Sequence, residues 1–324
     1  MLEQAILKTI VYYDCLDYPL ALDELKNFLF GGEQEFHNDL RNLINKNLVE
    51  ESGGFYFLKG RKNLINIREE RSVLAVKKWQ KALKAARWLC LVPYIRMVFA
   101  SGSLALSNTD KDSDLDVLLV AKHGRIWTTR FLTIVLLSLL GVRRTRYEKI
   151  APDKICLNHF ITDKSFHIPR KSIYTAQLYA RLIPIFGEEK LIAQFCEANK
   201  WVGEYVEGWP ECVSMNNRSM NNSIELFHRR ANSKFSGFIK KTGEKILDTK
   251  FGGWLENILK KYQLRRINNF HLTHKPGGRI KADDESLEFH PDSPELRIIE
   301  KYNKKMKELG FLELANEKDS GLTK

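Results

Sequence analysis

The chain has 324 residues, of which 44% are hydrophobic and 28% charged, and its formal net charge is +12 at pH 7. This composition excludes a wholly disordered chain, because disordered chains carry too few apolar residues to bury a core. At roughly 100–200 residues per domain, the length predicts two or three modules. The basic balance favours anionic partners, such as nucleotides, nucleic acid or an acidic membrane surface, and does not choose among them.

The cysteines and the N-terminus indicate the compartment. The chain has five scattered cysteines without CxxC spacing: Cys15, Cys90, Cys156, Cys196 and Cys212. This odd set argues against a disulfide framework and against a zinc knuckle. The opening stretch MLEQAILKTIVYYD carries acidic residues and amphipathic spacing, where a secretory signal has a basic start and an apolar core. We therefore expect a cytoplasmic, reducing setting.

The first 62 residues follow the order of a winged-helix module. Apolar spacing predicts helices in LEQAILKTIVYYD, ALDELKNFLF and EFHNDLRNLINKNLVEE, and LVEESGGFYFLKG predicts a hairpin around Gly53-Gly54. The third helix would then be the one that contacts DNA. Its exposed side is not basic, so nucleic-acid binding is possible but a docking or scaffold role is favoured. The charged residues around it are Glu35, Asp39, Arg41, Lys46, Glu50 and Glu51.

The middle of the chain alternates between strand and helix patterns. Residues 63–92 predict a connecting amphipathic helix, and the strands expected next are Ile95–Ala100 and Leu115–Ala121. The apolar stretch Ile126–Val142 predicts a core helix, because Arg130 interrupts it and it is shorter than the ~20 residues that span a membrane. With further strands in GVRRTRYEK and KICLNHFIT, residues 93–170 predict a mixed sheet core.

From Ser172 onward the patterns favour helices, so residues 171–315 predict a helical C-terminal domain. The basic stretch HKPGGRIK, in a Gly-Pro-Asp-rich break, favours a solvated loop over a contact with a triphosphate. A last helix is expected from about Pro294 to Leu309, and residues 316–324 predict a disordered tail. The fold class expected for the whole chain is α+β, with a mixed α/β core.

Two aspartates at the start of a buried strand are the main chemical signal. Asp114 and Asp116 are two residues apart, so both side chains leave the same face of the strand at a spacing of about 7 Å. Two neighbouring carboxylates repel, and burying them without a counter-ion is costly. A hard divalent cation such as Mg²⁺ or Mn²⁺ relieves both problems and shares its site with substrate phosphates.

A Gly-Ser pair supplies the second half of the site. Gly102 allows the backbone to approach a phosphate, and the Ser103 hydroxyl together with nearby amides can hold phosphate oxygens. Lys111 and Ser113, in the loop before the aspartates, are also assigned to nucleotide binding. Together these groups would hold ATP or another nucleoside triphosphate with the metal bridging its phosphates.

The spacing of Gly102-Ser103, ten residues and then Asp114-Leu115-Asp116 resembles the signature of the DNA polymerase beta-like nucleotidyltransferase superfamily. The resemblance covers about 70 residues, from Ile95 to about Ile161. It implies a nucleotidyltransferase-type sheet core. It also implies metal-dependent transfer of a nucleoside monophosphate from a triphosphate, usually ATP, to a hydroxyl acceptor with release of pyrophosphate. Nothing in the sequence identifies that acceptor.

The third carboxylate of many members is missing here. The matching strand, KICLNHFIT, offers Asn158, which can coordinate a metal but takes no proton, and His159, which can act as a base; Asp163 is a weaker candidate. Single-metal transfer, a base supplied by the substrate, or lost activity are all open. The second hypothesis is therefore a protein that senses nucleotide without catalysis, and a third is adenylylation of a partner protein.

A calcium loop is the other interpretation of the alternating aspartates between Asp110 and Asp116. It fails because the sixth position would be Leu115, where a glycine is needed, and the twelfth Ala121, where a bidentate glutamate is needed.

Overall fold

The computed structural model describes residues 2–30, 36–211, 213, 234–276, 278–311 and 315. Glu35, the disordered tail predicted over 316–324, and residues 214–233 of the predicted helical C-terminal domain lie outside these ranges.

The N-terminal region contains three helices and a small antiparallel sheet. The predicted hairpin is confirmed: Gly53 and Gly54 have φ values of 60° and 79°, which a tight two-residue turn requires. The third strand of this sheet is a short one in front of the second helix. The elements are α1 (Leu2–Asp14), β1 (Leu20–Ala21), α2 (Leu22–Asn27), α3 (Phe36–Asn45), β2 (Val49–Ser52) and β3 (Phe55–Leu58), and the sheet order is β1-β3-β2.

The centre of the molecule is a mixed sheet of six strands, so the α+β class is confirmed. Its order is β7-β4-β5-β6-β9-β8, and only the β5–β6 pair is parallel. The strands are β4 (Ile95–Ala100), β5 (Leu115–Ala121), β6 (Ile155–Thr162), β7 (Ile183–Phe186), β8 (Arg279–Ala282) and β9 (Ser286–His290).

Helices cover both faces of this sheet. The described helices after α3 are α4 (Leu64–Leu89), α5 (Gly102–Ala105), α6 (Ile126–Leu139), α7 (Ile173–Ala180), α8 (Glu189–Ala198), α9 (Lys234–Leu247), α10 (Lys250–Asn268) and α11 (Glu295–Glu308). Within the described ranges, short 3₁₀ turns are formed by Lys200–Glu204 and His271–His274. The apolar stretch at Ile126 forms α6, and among the described helices none is both long and apolar enough to cross a membrane.

Alternate residues of β5 belong to two different cores. Leu118 and Val120 pack in one apolar cluster with α1 and α7, whereas Val117 and Leu119 pack in another with α4 and α6. The N-terminal helix α1 therefore shares a core with the sheet. Likewise α4, expected to be a connector, covers a sheet face through side chains such as the buried Trp79.

Two expectations about strands are wrong. The stretch GVRRTRYEK is a turn region in which Arg143 forms an isolated bridge to Ile155. The Glu148 N–H donates to the Thr145 carbonyl and the Thr145 N–H donates to the Glu148 carboxylate, which closes the backbone into a turn. Strands also continue after Ser172, so residues 171–315 are not purely helical. Pro184 lies within β7, which is tolerated because β7 is an edge strand.

The β8–β9 hairpin occupies the predicted Gly-Pro-Asp-rich break. The Asp283 carboxylate accepts hydrogen bonds from the backbone N–H groups of Glu285 and Ser286, which forms the turn. Arg279, expected in a solvated loop, is instead buried, with ion pairs of 2.9 Å to both Glu288 and Glu295.

Candidate active site

The Gly-Ser turn and the second aspartate are in direct contact. The backbone N–H of Ser101, at the end of β4, donates to the Asp116 carbonyl (3.1 Å), which fixes the turn beside β5. Gly102 has φ +61°, and a Cβ there would lie 2.7 Å from Asp116 Oδ2. Glycine is thus required both by backbone conformation and by the space that the carboxylate occupies.

The two aspartates face the same side, as the sequence predicts. A carboxylate oxygen of Asp114, one of Asp116 and the Cys156 sulfur all lie within 4.8 Å of one another. Burial and, second, the Asp114 charge raise the pKa of the Asp116 carboxyl to about 7. The pair is therefore short of positive charge, which is the property expected of a cation site.

Arg144 supplies part of the missing charge. Its Nη1 lies 2.5 Å from Asp114 Oδ2, and its Nη2 donates to the backbone carbonyls of Glu148 and Lys149. This arginine was not predicted as a partner of the carboxylates, because its segment was expected to form a strand. The run Arg143-Arg144-Thr145-Arg146 beside a strand was the available signal.

A β-bulge in β6 turns Asn158 toward the aspartates. Asp116 pairs with Cys156 and Leu118 pairs with His159, so two residues of β6 lie opposite one residue of β5. The Asn158 Nδ2 donates to Asp116 Oδ1 at 2.7 Å. Cys156 was not predicted; burial and the two aspartates raise the pKa of its thiol far above the usual range, so it stays protonated and binds a hard cation poorly.

His159 lies in the same cavity, but it is a weak base. Its Nδ1 is 3.3 Å from the Tyr179 hydroxyl, and burial, with Arg279 and Lys281 nearby, lowers the pKa of the imidazole to about 3. The ring is therefore neutral at pH 7 and accepts a proton poorly. Asp163 accepts from the His123 backbone N–H (2.8 Å) and does not line this cavity.

Lys111 and Ser113 do not join the site. Lys111 is exposed, and the Ser113 hydroxyl is held by the Asp110 carboxylate (2.7 Å); among the described residues, neither lines the cavity at Asp116. Both instead help to fix the loop, because the buried Lys78 ammonium donates to the Ser113 carbonyl (2.6 Å). Lys78 also pairs with Asp153 at 3.1 Å.

Cavities extend from the carboxylates in two directions. A cavity of about 210 Å³ surrounds Asp114 and Asp116, and one of about 320 Å³ adjoins it at Gly102. Tyr12 and Tyr13 of α1 line the larger one. The N-terminal region therefore forms one wall of the candidate site, which the sequence did not predict.

The donor set fits a hard divalent cation. Asp114 and Asp116 provide carboxylate oxygens, Asn158 supports Asp116 by donating its Nδ2–H to Oδ1, and the protonated Cys156 is left out. The remaining positions of an octahedral ion would be taken by water or phosphate oxygens.

A scan against protein-family models, a search of the curated proteins and a search of the solved structures gave no match to this chain. The superfamily resemblance therefore stands on the residues of the Gly-Ser turn and the aspartate pair.

Proposed function

We propose that this protein is a metal-dependent nucleotidyltransferase that moves a nucleoside monophosphate from ATP or another nucleoside triphosphate to a hydroxyl acceptor, with release of pyrophosphate. The observation that carries the proposal is the contact between Gly102 and the Asp116 carboxylate. It brings a phosphate-binding type of turn next to a carboxylate pair suited to a divalent cation.

In this reaction the acceptor oxygen forms a bond to the α-phosphorus while the bond from that phosphorus to the oxygen of pyrophosphate breaks. Gly102 leaves room for the phosphates, and the Ser103 hydroxyl donates to one of their oxygens. Asp114 and Asp116 would hold a Mg²⁺ ion, which would neutralise part of the phosphate charge when bound. The hydroxyl proton leaves with the pyrophosphate, whose oxygens are stronger bases than the imidazole of His159 with its pKa of about 3.

A nucleotide-sensing protein without turnover is the second candidate. Three observations favour it. Asn158 stands where many members of the superfamily have a third carboxylate, and the pKa of His159 is lowered to about 3, so neither side chain replaces the missing base. Arg144 also pairs with Asp114 and competes with a cation for that carboxylate.

The test uses the full chain with α-labelled nucleoside triphosphates, Mg²⁺ or Mn²⁺ and a fractionated lysate. We expect label on one class of acceptor, and loss of that label in Asp114→Asn and Asp116→Asn. Asp112→Asn is the matched control, since Asp112 is an exposed carboxylate of the same loop. Nucleotide binding without pyrophosphate release would favour the sensor, and transfer that survives in the Asp114→Asn/Asp116→Asn double variant would remove both the metal site and the proposal.

A further inference from the structure

A third cavity next to the carboxylates is lined by arginines. Its volume is about 300 Å³, and it shares Arg144 and Asn158 with the cavity that surrounds Asp114 and Asp116. Arg130, Arg143 and Arg146 also line it. Both this arginine-lined cavity and the cavity at Gly102 therefore lie next to the carboxylates. The cavity at Gly102 is lined by Asp116 itself, whereas the arginine-lined cavity meets the carboxylates through Arg144 and Asn158.

Within the described part of the chain, three of these arginines have no carboxylate at ion-pair distance. The hydrogen bonds that they make go to neutral groups: Arg130 to the Gln263 side chain (2.6 Å), Arg143 to Ser138 Oγ (2.7 Å), and Arg146 to a backbone carbonyl. The buried Nε of Arg130 has no hydrogen-bond partner among the described residues. Several guanidinium donors thus remain for a ligand.

The acids of this cavity are already neutralised. Glu148 is bound to Lys154, whose ammonium lowers the pKa of the Glu148 carboxyl to about 2, and Asp292 is bound to Lys275. Burial first, and then the charges of neighbouring arginines, lower the pKa of Arg130 to about 10. The cavity therefore carries uncompensated positive charge in its empty state, and an anion that enters it relieves this repulsion.

The arginines are held in place before any ligand arrives. The Arg130 guanidinium lies 4.7 Å from the centre of the Phe289 ring, and that of Arg146 lies 4.8 Å from the Phe270 ring. Stacking of this kind fixes the plane of the guanidinium and leaves its edge free for the paired hydrogen bonds that phosphate accepts. The fixed geometry lowers the entropy cost of binding.

We propose that this arginine-lined cavity is the acceptor site and that the acceptor is a small molecule carrying a phosphate monoester. The inference rests on the proposed function, because it assigns the nucleotide to the cavity at Gly102 and the acceptor to the opposite side of the carboxylates. Bidentate arginine contacts match a phosphate dianion, and the volume suits a ligand of metabolite size. Arg144 links the two halves, since it contacts Asp114 and also lines the acceptor cavity.

Calorimetry on the full chain tests the assignment, with glycerol 3-phosphate as the probe and glycerol as its neutral analogue. We expect saturable binding of the phosphate monoester only, weakened by roughly tenfold in Arg143→Gln and in Arg146→Gln and by roughly a hundredfold in the double variant. Arg87→Gln removes one exposed positive charge of α4 outside this cavity and should change the affinity less than about twofold.

Four results would overturn the inference. The first three are no binding of the probe by the wild-type chain, equal binding by the arginine variants, and displacement of the probe by ATP, which would assign the arginines to the triphosphate. A 5′-phosphorylated oligonucleotide that binds a hundred times more tightly than the probe would assign them to a nucleic-acid end instead. Failure of the proposed function has a separate signature. In that case the label-transfer assay gives no product, while the wild type and Asp114→Asn still bind the probe.

Discussion

Replacing Asp116 with asparagine should make the metal-free protein more stable. The carboxyl has a pKa of about 7 in the folded chain against 3.8 for a free side chain, a difference of roughly three units. At 1.36 kcal/mol per unit, ionised Asp116 costs the fold up to about 4 kcal/mol above pH 7. Solvent in the adjoining cavity screens part of this cost, so we expect a gain of about 2 kcal/mol in Asp116→Asn. For a chain of this size that corresponds to a rise in Tm of roughly 4 °C.

The sign of this effect depends on pH and on metal. Because the folded pKa is raised, the cost is small at pH 4, close to the unfolded pKa of 3.8, grows as the pH rises and is complete above about pH 7. Asparagine also keeps the contact with the Asn158 amide through its oxygen. Added Mn²⁺ should reverse the order, since it stabilises only the wild type, by about 2.7 kcal/mol at one hundred times its Kd.

The assay is thermal unfolding of both chains at pH 4 and pH 8, first with EDTA and then with Mn²⁺. The reasoning is refuted if Asp116→Asn is less stable than the wild type at pH 8 in EDTA, or if the difference between the two chains is the same at both pH values.

Three further predictions concern the frame of the site. Gly102→Ala should lose both stability and metal binding. The control variant Gly124→Ala has φ +72° and nothing within 4 Å of an added Cβ, so it should show only the ~1–2 kcal/mol cost of a left-handed residue. Equal losses of metal binding in the two variants would contradict the contact between Gly102 and Asp116. Lys78→Met should cost about 3 kcal/mol, because it removes the buried ammonium that donates to the Ser113 carbonyl and leaves one Asp153 oxygen without that partner. Lys81→Met, which removes an exposed partner of the same aspartate, should cost less than about 1 kcal/mol in denaturant unfolding. Burial lowers the pKa of His290 to about 4, so the free energy of unfolding should fall as the pH drops from about 6.5 to 4. The fall should be smaller in His290→Gln, and identical pH profiles of the two chains would contradict this prediction.

The parts of the structure that local patterns encode were predicted well. Apolar runs bounded by turn residues predicted β4 and β5, and the paired glycines predicted the hairpin of the N-terminal sheet. The contact of Gly102 with Asp116 follows from the same local signals, because β4 and β5 pair directly and their ends meet at the Gly-Ser turn. In each case the decisive contacts join neighbouring segments.

The parts that depend on distant residues were missed. Strands β8 and β9 join a sheet whose other members lie more than ninety residues earlier, and their turn is rich in the residues that predict a loop. Arg144 pairs with an aspartate 30 residues before it, and no periodic pattern encodes that meeting. The bulge that turns Asn158 toward Asp116 is likewise a matter of register between two strands.

Direct measurement of Mn²⁺ binding by electron paramagnetic resonance tests the central claim that Asp114 and Asp116 hold a divalent cation beside the Gly-Ser turn. The signal of free Mn²⁺ should fall when the wild type or Asp112→Asn is added, and should remain at the level of buffer with Asp114→Asn or Asp116→Asn. Identical titration curves for all four chains would contradict the account.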